Sequence, residues 1–126
     1  MRNLIITLVI LVAGMVWFRD WAGSGEMDNF IRSHSDAQYT PDVIYFLGDF
    51  CRTIGEEKTA AYYYRWLFEK YPRFGRTDKV LYRLGRCYEE MGRRAEAIEQ
   101  YKIVISSYPR TETAHLSQKA YDKLRY

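Results

Sequence analysis

The sequence predicts an all-α protein: an N-terminal transmembrane helix, two helical hairpins of one repeating unit, and a C-terminal capping helix. Three observations predict it. Leu4 to Phe18 is apolar at every position except Thr7 and Gly14. The phrase Leu47-Gly48-Asp49-Phe50-Cys51-Arg52-Thr53-Ile54-Gly55 returns as Leu84-Gly85-Arg86-Cys87-Tyr88-Glu89-Glu90-Met91-Gly92, and Tyr71-Pro72 returns as Tyr108-Pro109, both at a spacing of 37 residues. Within each copy the apolar and small residues recur at i, i+3, i+4 and i+7, the period of one helix face. A fixed period of about 20 to 50 residues marks stacked supersecondary units. At 126 residues, two hairpins and a cap are near the minimum that buries a continuous core.

The first element, residues 1–22, is an anchor. Leu4, Ile5, Ile6, Leu8, Val9, Ile10, Leu11, Val12, Ala13, Gly14, Met15, Val16, Trp17, Phe18 and Trp21 form its apolar wall. With Trp21 and Ala22 included, the stretch approaches the roughly 20 residues that cross a bilayer core. Trp17, Phe18 and Trp21 at its end have the composition of an interfacial aromatic belt. A cleaved secretory signal opens the same way, with Arg2 before an apolar core. Signal peptidase requires small residues one and three positions before the cut, but Trp17, Phe18, Arg19, Asp20 and Trp21 fill most of that window. Only Gly23-Ser24-Gly25 is passable, and no Cys stands near the end of the run to take a lipoprotein anchor. Arg2 before the span against Arg19 and Arg32 after it decides little about orientation. The residues that follow the span are net acidic, with Asp20, Glu26, Asp28 and Asp36, which favours repeats outside the cytoplasm.

Residues 23–40 form a connector. Gly23-Ser24-Gly25 reads as a hinge, Glu26 to Ser33 as a short helix with Met27, Phe30 and Ile31 on one side, and Ser33 to Thr40 as a polar run. The segment is either a spacer or a piece docked on the first repeat.

The repeats occupy 41–76 and 77–111. In the first copy Ile44, Leu47, Gly48 and Cys51 stripe one helix and Ala60, Tyr64 and Leu67 the next. In the second copy the counterparts are Leu81, Leu84, Gly85 and Tyr88, then Ala97, Tyr101 and Val104. Small residues at Gly48/Ala60 and Gly85/Ala97 let the two helices of a hairpin cross closely. Thr40 and Thr77 are expected as N-caps, with Pro41 at a first helical position. Gly55 and Gly92 stand where each first helix must turn, and the Pro after each Tyr ends the second helix. Residues 112–126 make a capping helix with Leu116, Ala120 and Leu124 at helical spacing, polar elsewhere. Most of the twelve tyrosines fall at core positions or on second helices, as in Tyr62-Tyr63-Tyr64, to serve packing or a partner surface.

This pattern resembles the tetratricopeptide repeat (TPR) over about residues 41–111. Each copy is small at the eighth position, Ala at the twentieth, aromatic at the twenty-fourth and Pro at the thirty-second; the aromatic eleventh position is met by Tyr88 and departs at Cys51. The period exceeds the family's usual length of about 34, the additional residues following Pro72 in Arg73 to Thr77. Lengthened repeats closed by Tyr-Pro are similar to those of bacterial cell-envelope proteins such as the Tol-Pal-associated periplasmic protein and the lipoprotein of the outer-membrane assembly machine. With the acidic flank, that likeness implies a single-pass protein of the bacterial inner membrane, N-terminus cytoplasmic and TPR region periplasmic. The resemblance also implies that the first helix of each repeat lines a concave binding face through its second, fifth, ninth and twelfth positions. Carried over, these are Asp42, Tyr45, Asp49 and Arg52, then Lys79, Tyr82, Arg86 and Glu89. Lys79, Arg83 and Arg86, spaced i, i+4, i+7, share one face suited to an acidic segment or a carboxyl terminus. Asp42 and Asp49 oppose that, and the family's Asn and Lys arrangement for clamping a C-terminal carboxylate is not reproduced. A solvated mixed-charge face and a specific peptide groove both remain open.

Other chemistries find no support. The sequence has no Cys-x-x-Cys-His, no zinc-spaced Cys or His pair, no Gly-rich phosphate loop and no Gly-x-Ser-x-Gly elbow. His34 and His115 stand alone, and no cofactor is expected. Cys51 faces the hairpin core while Cys87 is the counterpart of Phe50, so buried free thiols are favoured over a disulfide. The net charge of +3 is mild and its charges interleaved, unlike a nucleic-acid stripe. The expected function is a non-catalytic, membrane-anchored TPR interaction module, an accessory or scaffold subunit of a cell-envelope membrane complex. It would contact other subunits through the span, with Ala13 and Gly14 permitting close approach, and through the groove. The alternative is a periplasmic adaptor or chaperone that binds clients transiently after signal cleavage. Head-to-tail self-association of open repeat ends is a third reading.

Overall fold

The computed structural model describes residues 1–23 and 25–125. Those residues form seven helices and no strand: α1 (Arg2–Gly23), α2 (Glu26–Ser33), α3 (Thr40–Thr53), α4 (Glu57–Lys70), α5 (Thr77–Glu90), α6 (Arg94–Ser107) and α7 (Glu112–Arg125). They divide into two compact units, residues 1–40 and residues 41–126.

In the first unit, Arg2–Trp21 is long and apolar enough to cross a membrane, and none of it is buried. A helix that is apolar on all sides has no preferred face to place against a single core. The one hydroxyl in its apolar run is satisfied internally, Thr7 Oγ1 donating to the Asn3 carbonyl at 2.8 Å. Trp17 and Trp21, one turn apart, lie parallel with ring centroids 6.0 Å apart. Of the expected hinge, Ser24 lies outside the described residues, and Gly25 takes the left-handed conformation at φ 88° before α2. Met27 and Ile31 are buried as an i, i+4 pair, whereas Phe30, at the i+3 position beside them, is exposed. It is 48% exposed and packs over the His34 ring, centroids 4.5 Å apart. At about 100° per residue Met27, Phe30 and Ile31 fall within one sector of the helix, so the three-residue stripe has two buried members and a ring at its exposed margin.

In the second unit, α3 and α4 form one hairpin and α5 and α6 another. Each first helix ends in a Schellman motif around its glycine. In the first, the Gly55 N–H bonds the Arg52 carbonyl and the Glu56 N–H the Cys51 carbonyl; in the second, Gly92 bonds Glu89 and Arg93 bonds Tyr88. Gly55 at φ 84° and Gly92 at φ 75° adopt the left-handed geometry that this motif needs.

Gly48 and Gly85 serve a different purpose, close approach. A Cβ on Gly48 would stand 2.6 Å from Cε1 of Tyr64, and one on Gly85 2.5 Å from Cε1 of Tyr101. The tyrosine ring of each second helix therefore lies flat on the backbone of the first. Ala60 and Ala97 are both fully buried at the same crossings.

The core continues along the stack. Leu81, Val104 and Ala114 cluster with Phe68, Ile103 and Tyr108, so α4 to α7 share one apolar interior. Between hairpins, Arg65 of α4 donates to the Tyr88 hydroxyl of α5 at 2.8 Å. Cys51 and Cys87 are both buried free thiols.

The expected caps are corrected in part. Thr40 and Thr77 are the first residues of their helices, not N-caps, and their hydroxyls donate backward to the carbonyls of His34 and Phe74. In α5 the N-cap position falls to Arg76, which makes no side-chain capping bond. Thr111, by contrast, sits one residue before α7 and accepts the Ala114 N–H at 3.0 Å. Six residues separate α4 from α5, two more than the four between α6 and α7. Capping chemistry therefore appears only at the tighter junction.

Candidate partner-binding face

The first helices α3 and α5, together with α7, supply the groove of the second unit. Most of the residues expected to bind a partner there already hold one another. Tyr45 of α3 is nearly buried, its ring packed against Phe74 at 5.5 Å and flanked by the guanidinium groups of Arg76 at 4.6 Å and Arg83 at 4.8 Å. Cations placed over an aromatic face are held by the ring quadrupole. Asp42 is paired with Arg76 at 2.6 Å. Asp49 accepts both the Tyr64 hydroxyl and the Arg83 guanidinium, which ties α3 to α4 and to α5 at one carboxylate. Arg52 reaches Glu90 at 3.4 Å.

In the second hairpin the signs are exchanged and the bond is kept. Arg86 stands at the position of Asp49, and Glu89 at the position of Arg52. The Tyr101 hydroxyl now donates to Glu89 at 2.9 Å, and Arg86 pairs with the same Glu89 at 3.1 Å. Tyr64 and Tyr101 are equivalent, so each hairpin holds its ring with a carboxylate, taken from the ninth position in one copy and the twelfth in the other. Burial raises both phenol pKa values, and the hydrogen bond that each donates to its carboxylate raises them further.

These contacts change what the face presents. Arg83 and Arg86 are neutralised within the fold, which leaves the exposed Lys79 as the outermost cation of the triplet Lys79, Arg83 and Arg86. Tyr82 is half-buried, tilted against Tyr101 with centroids 5.9 Å apart. Lys79, Tyr82 and Arg83 line one cleft of about 510 Å³ with Asp78 of α5 and with Thr111, Glu112, Thr113 and Leu116 around the start of α7. Leu116 is 39% exposed there and Lys79 and Glu112 carry opposite charges, so the cleft offers an apolar wall between a cationic and an anionic rim.

Sequence reasoning placed on the binding face neither Arg76 and Phe74, which build the wall around Tyr45, nor the α7 residues of the cleft, Leu116 having been read only as part of a cap. The signal for the second was present. Thr40, Thr77 and Thr111 each follow a closing turn, and aligning them makes α7 a third first helix that completes the groove.

Among the described residues no group of three His, Cys, Asp or Glu side chains could hold a metal ion. Stacked helical hairpins whose first helices are joined by the Asp49–Arg83 pair define a repeat protein of the interaction class. A family model described as tetratricopeptide repeat matches residues 79–111, the second hairpin and the turn after it. No curated protein matches the chain. The match supports a tetratricopeptide repeat protein and with it a protein–protein interaction module, in a family that is generally non-catalytic.

Proposed function

We propose that this protein is a non-catalytic, membrane-anchored TPR scaffold, an accessory subunit of a multi-protein complex of the bacterial cell envelope. In this reading α1 spans the inner membrane with its N-terminus in the cytoplasm, and the repeats stand in the periplasm holding a protein partner on the α3–α5–α7 face. The observation that carries it is the apolar stretch Arg2–Trp21, none of which is buried, on the same chain as an interaction repeat. An apolar surface of that length is satisfied by lipid or by other transmembrane helices, not by water. The net acidic flank after the span supports the orientation. The cleft between α5 and α7 is the place for the partner, with Lys79, Tyr82 and Leu116 as its contact residues. Asp42, Tyr45, Asp49, Arg52, Arg83, Arg86 and Glu89 shape the rest of the face.

The test is purification of the tagged full-length protein in mild detergent, followed by mass spectrometry of its own amino terminus and of the polypeptides that remain bound. The expected result is an intact Met1 and co-migration with a large assembly that Lys79→Glu combined with Leu116→Glu dissociates. A terminus cleaved near Gly25 together with migration as a lone chain would establish the transient adaptor instead.

A further inference from the structure

The cleft between α5 and α7 keeps charge that the fold does not use. Asp78 lies in the first turn of α5 and Glu112 in that of α7, where the positive end of each helix dipole favours an ionised carboxylate. Lys79 follows Asp78 and is exposed. None of the three is in an ion pair among the described residues, whereas Arg83, the other cation of the lining, is matched by Asp49. The uncompensated lining therefore holds two carboxylates and one ammonium.

A hydroxyl is left over in the same way. Thr111 spends its own at the start of α7, donating to the Tyr108 carbonyl and accepting the Ala114 N–H. Thr113 also lines the cleft and is only 7% exposed, yet its hydroxyl bonds no group among the described residues. A polar group so deeply buried is ordinarily paired, and here the backbone of an incoming chain can supply the bond. Tyr82 and Leu116 give the cleft its apolar part, and its volume of about 510 Å³ is in the range that seats a few side chains.

These groups choose among occupants by charge. A carboxyl terminus or an acidic run, which the spacing of Lys79, Arg83 and Arg86 suited, meets one free cation and two carboxylates, and like charges brought together across a contact cost affinity. A wholly basic run sets Lys79 against its own sign. A purely apolar segment would cover three charges and pair none of them. The match is an apolar residue with a basic neighbour for Asp78 and Glu112 and an acidic neighbour for Lys79.

We infer that the α5–α7 cleft takes an internal segment of its protein partner, an apolar side chain between a basic and an acidic one, and not a carboxyl terminus. This rests on the reading of the cleft as the partner's place and adds the chemistry that recognises it.

The experiment pans the immobilised full-length protein, in mild detergent, against two random libraries of N-acetylated heptapeptides, one amidated at the C-terminus and one with a free carboxyl, and sequences what is retained. The amidated library is expected to yield peptides in which an apolar residue stands between a basic and an acidic one. Glu112→Lys should turn the basic preference acidic, Lys79→Glu should turn the acidic preference basic, and Leu116→Glu should remove the apolar one. Each charge reversal should weaken a selected peptide roughly fivefold, with binding restored when the matching peptide charge is reversed too. Should Glu112→Lys loosen the start of α7, Glu112→Gln is expected to remove the basic preference with the helical circular dichroism spectrum unchanged. Enrichment confined to the free-carboxyl library overturns the proposal, as does a charge preference that these variants leave unaltered. A large assembly that Lys79→Glu with Leu116→Glu dissociates, alongside libraries that yield no such peptide, overturns this chemistry and leaves the scaffold standing. A lone chain with a cleaved terminus that still selects these peptides supports the chemistry and removes the scaffold.

Discussion

Asp49 and Glu89 lie three repeat positions apart, yet each accepts the hydroxyl of the equivalent tyrosine. A buried phenol needs an acceptor, and losing it leaves a desolvated O–H unpaired. The ring beneath that hydroxyl needs a glycine. Gly48→Ala should therefore cost about 1 to 3 kcal/mol, as overpacking at a close crossing does, while Gly75→Ala, whose Cβ would meet nothing within 4 Å, should change little. Urea denaturation of the two variants measures the difference. The thiols give a pH prediction. Burial pushes Cys87 up to about 12 and Cys51 to about 11, from an ordinary 9.0. The folded state thus keeps protons that the unfolded chain gives up first. The contribution is complete below pH 9 and is lost as pH rises toward 11 and 12. Stability followed by circular dichroism should hold steady through neutral pH and fall above pH 9, and a thiol reagent at pH 8 should react only on unfolding. At this scale the sequence was half legible. The small-residue positions were readable because they repeat, but Asp49, Arg52, Arg86 and Glu89 read as open surface. Apart from the Arg86–Glu89 pair within α5, their partners arrive from another helix or from the next repeat, and a position-by-position transfer has no means of seeing Tyr64 beside Asp49.

The helices themselves were written plainly in the 37-residue spacing, because an apolar stripe with a glycine at its end specifies one turn of chain and one direction. Junctions were less legible. Thr40, Thr77 and Thr111 look alike in sequence, but only Thr111 accepts a backbone N–H of the helix that it precedes. Thr111→Ala should cost about 1 kcal/mol as a lost N-cap, and Thr111→Ser should restore most of it. In Thr77→Ser the backward bond to the Phe74 carbonyl is retained, so no comparable loss is expected; thermal melts of the three variants decide. In α2 the i, i+3, i+4 spacing set Phe30 beside Met27 and Ile31, and what it could not show is that this ring stands at the exposed margin of the face. The share of α7 in the cleft was missed because a helix read as a cap was not also read as a wall.

For the whole molecule, composition carried the broad outline, an apolar helix joined to a repeat, and could not say what meets the groove. Specificity rests on what the fold leaves unspent, and that is settled only after internal pairs such as Arg76–Asp42 and Arg86–Glu89 are formed. Lys79, Tyr82 and Leu116 are what remains on the α5–α7 side. A variant that reverses Lys79 should lose a partner bound through an acidic group while keeping its melting temperature within a degree or two, the usual result for an exposed charge away from a network. Loss of folding along with binding would count against that division of labour.

The meeting of Tyr64 and Arg83 on one carboxylate also bears on how the stack comes apart. Repeat arrays are often treated as beads whose stabilities add, with a modest coupling between neighbours. Here the acceptor that fixes the crossing of α3 and α4 is charge-balanced by a residue of α5, so the first hairpin reaches its resting geometry only with the second in place. Hydrogen exchange should accordingly show α3, α4 and α5 opening together, as a single cooperative block instead of a row of separable parts.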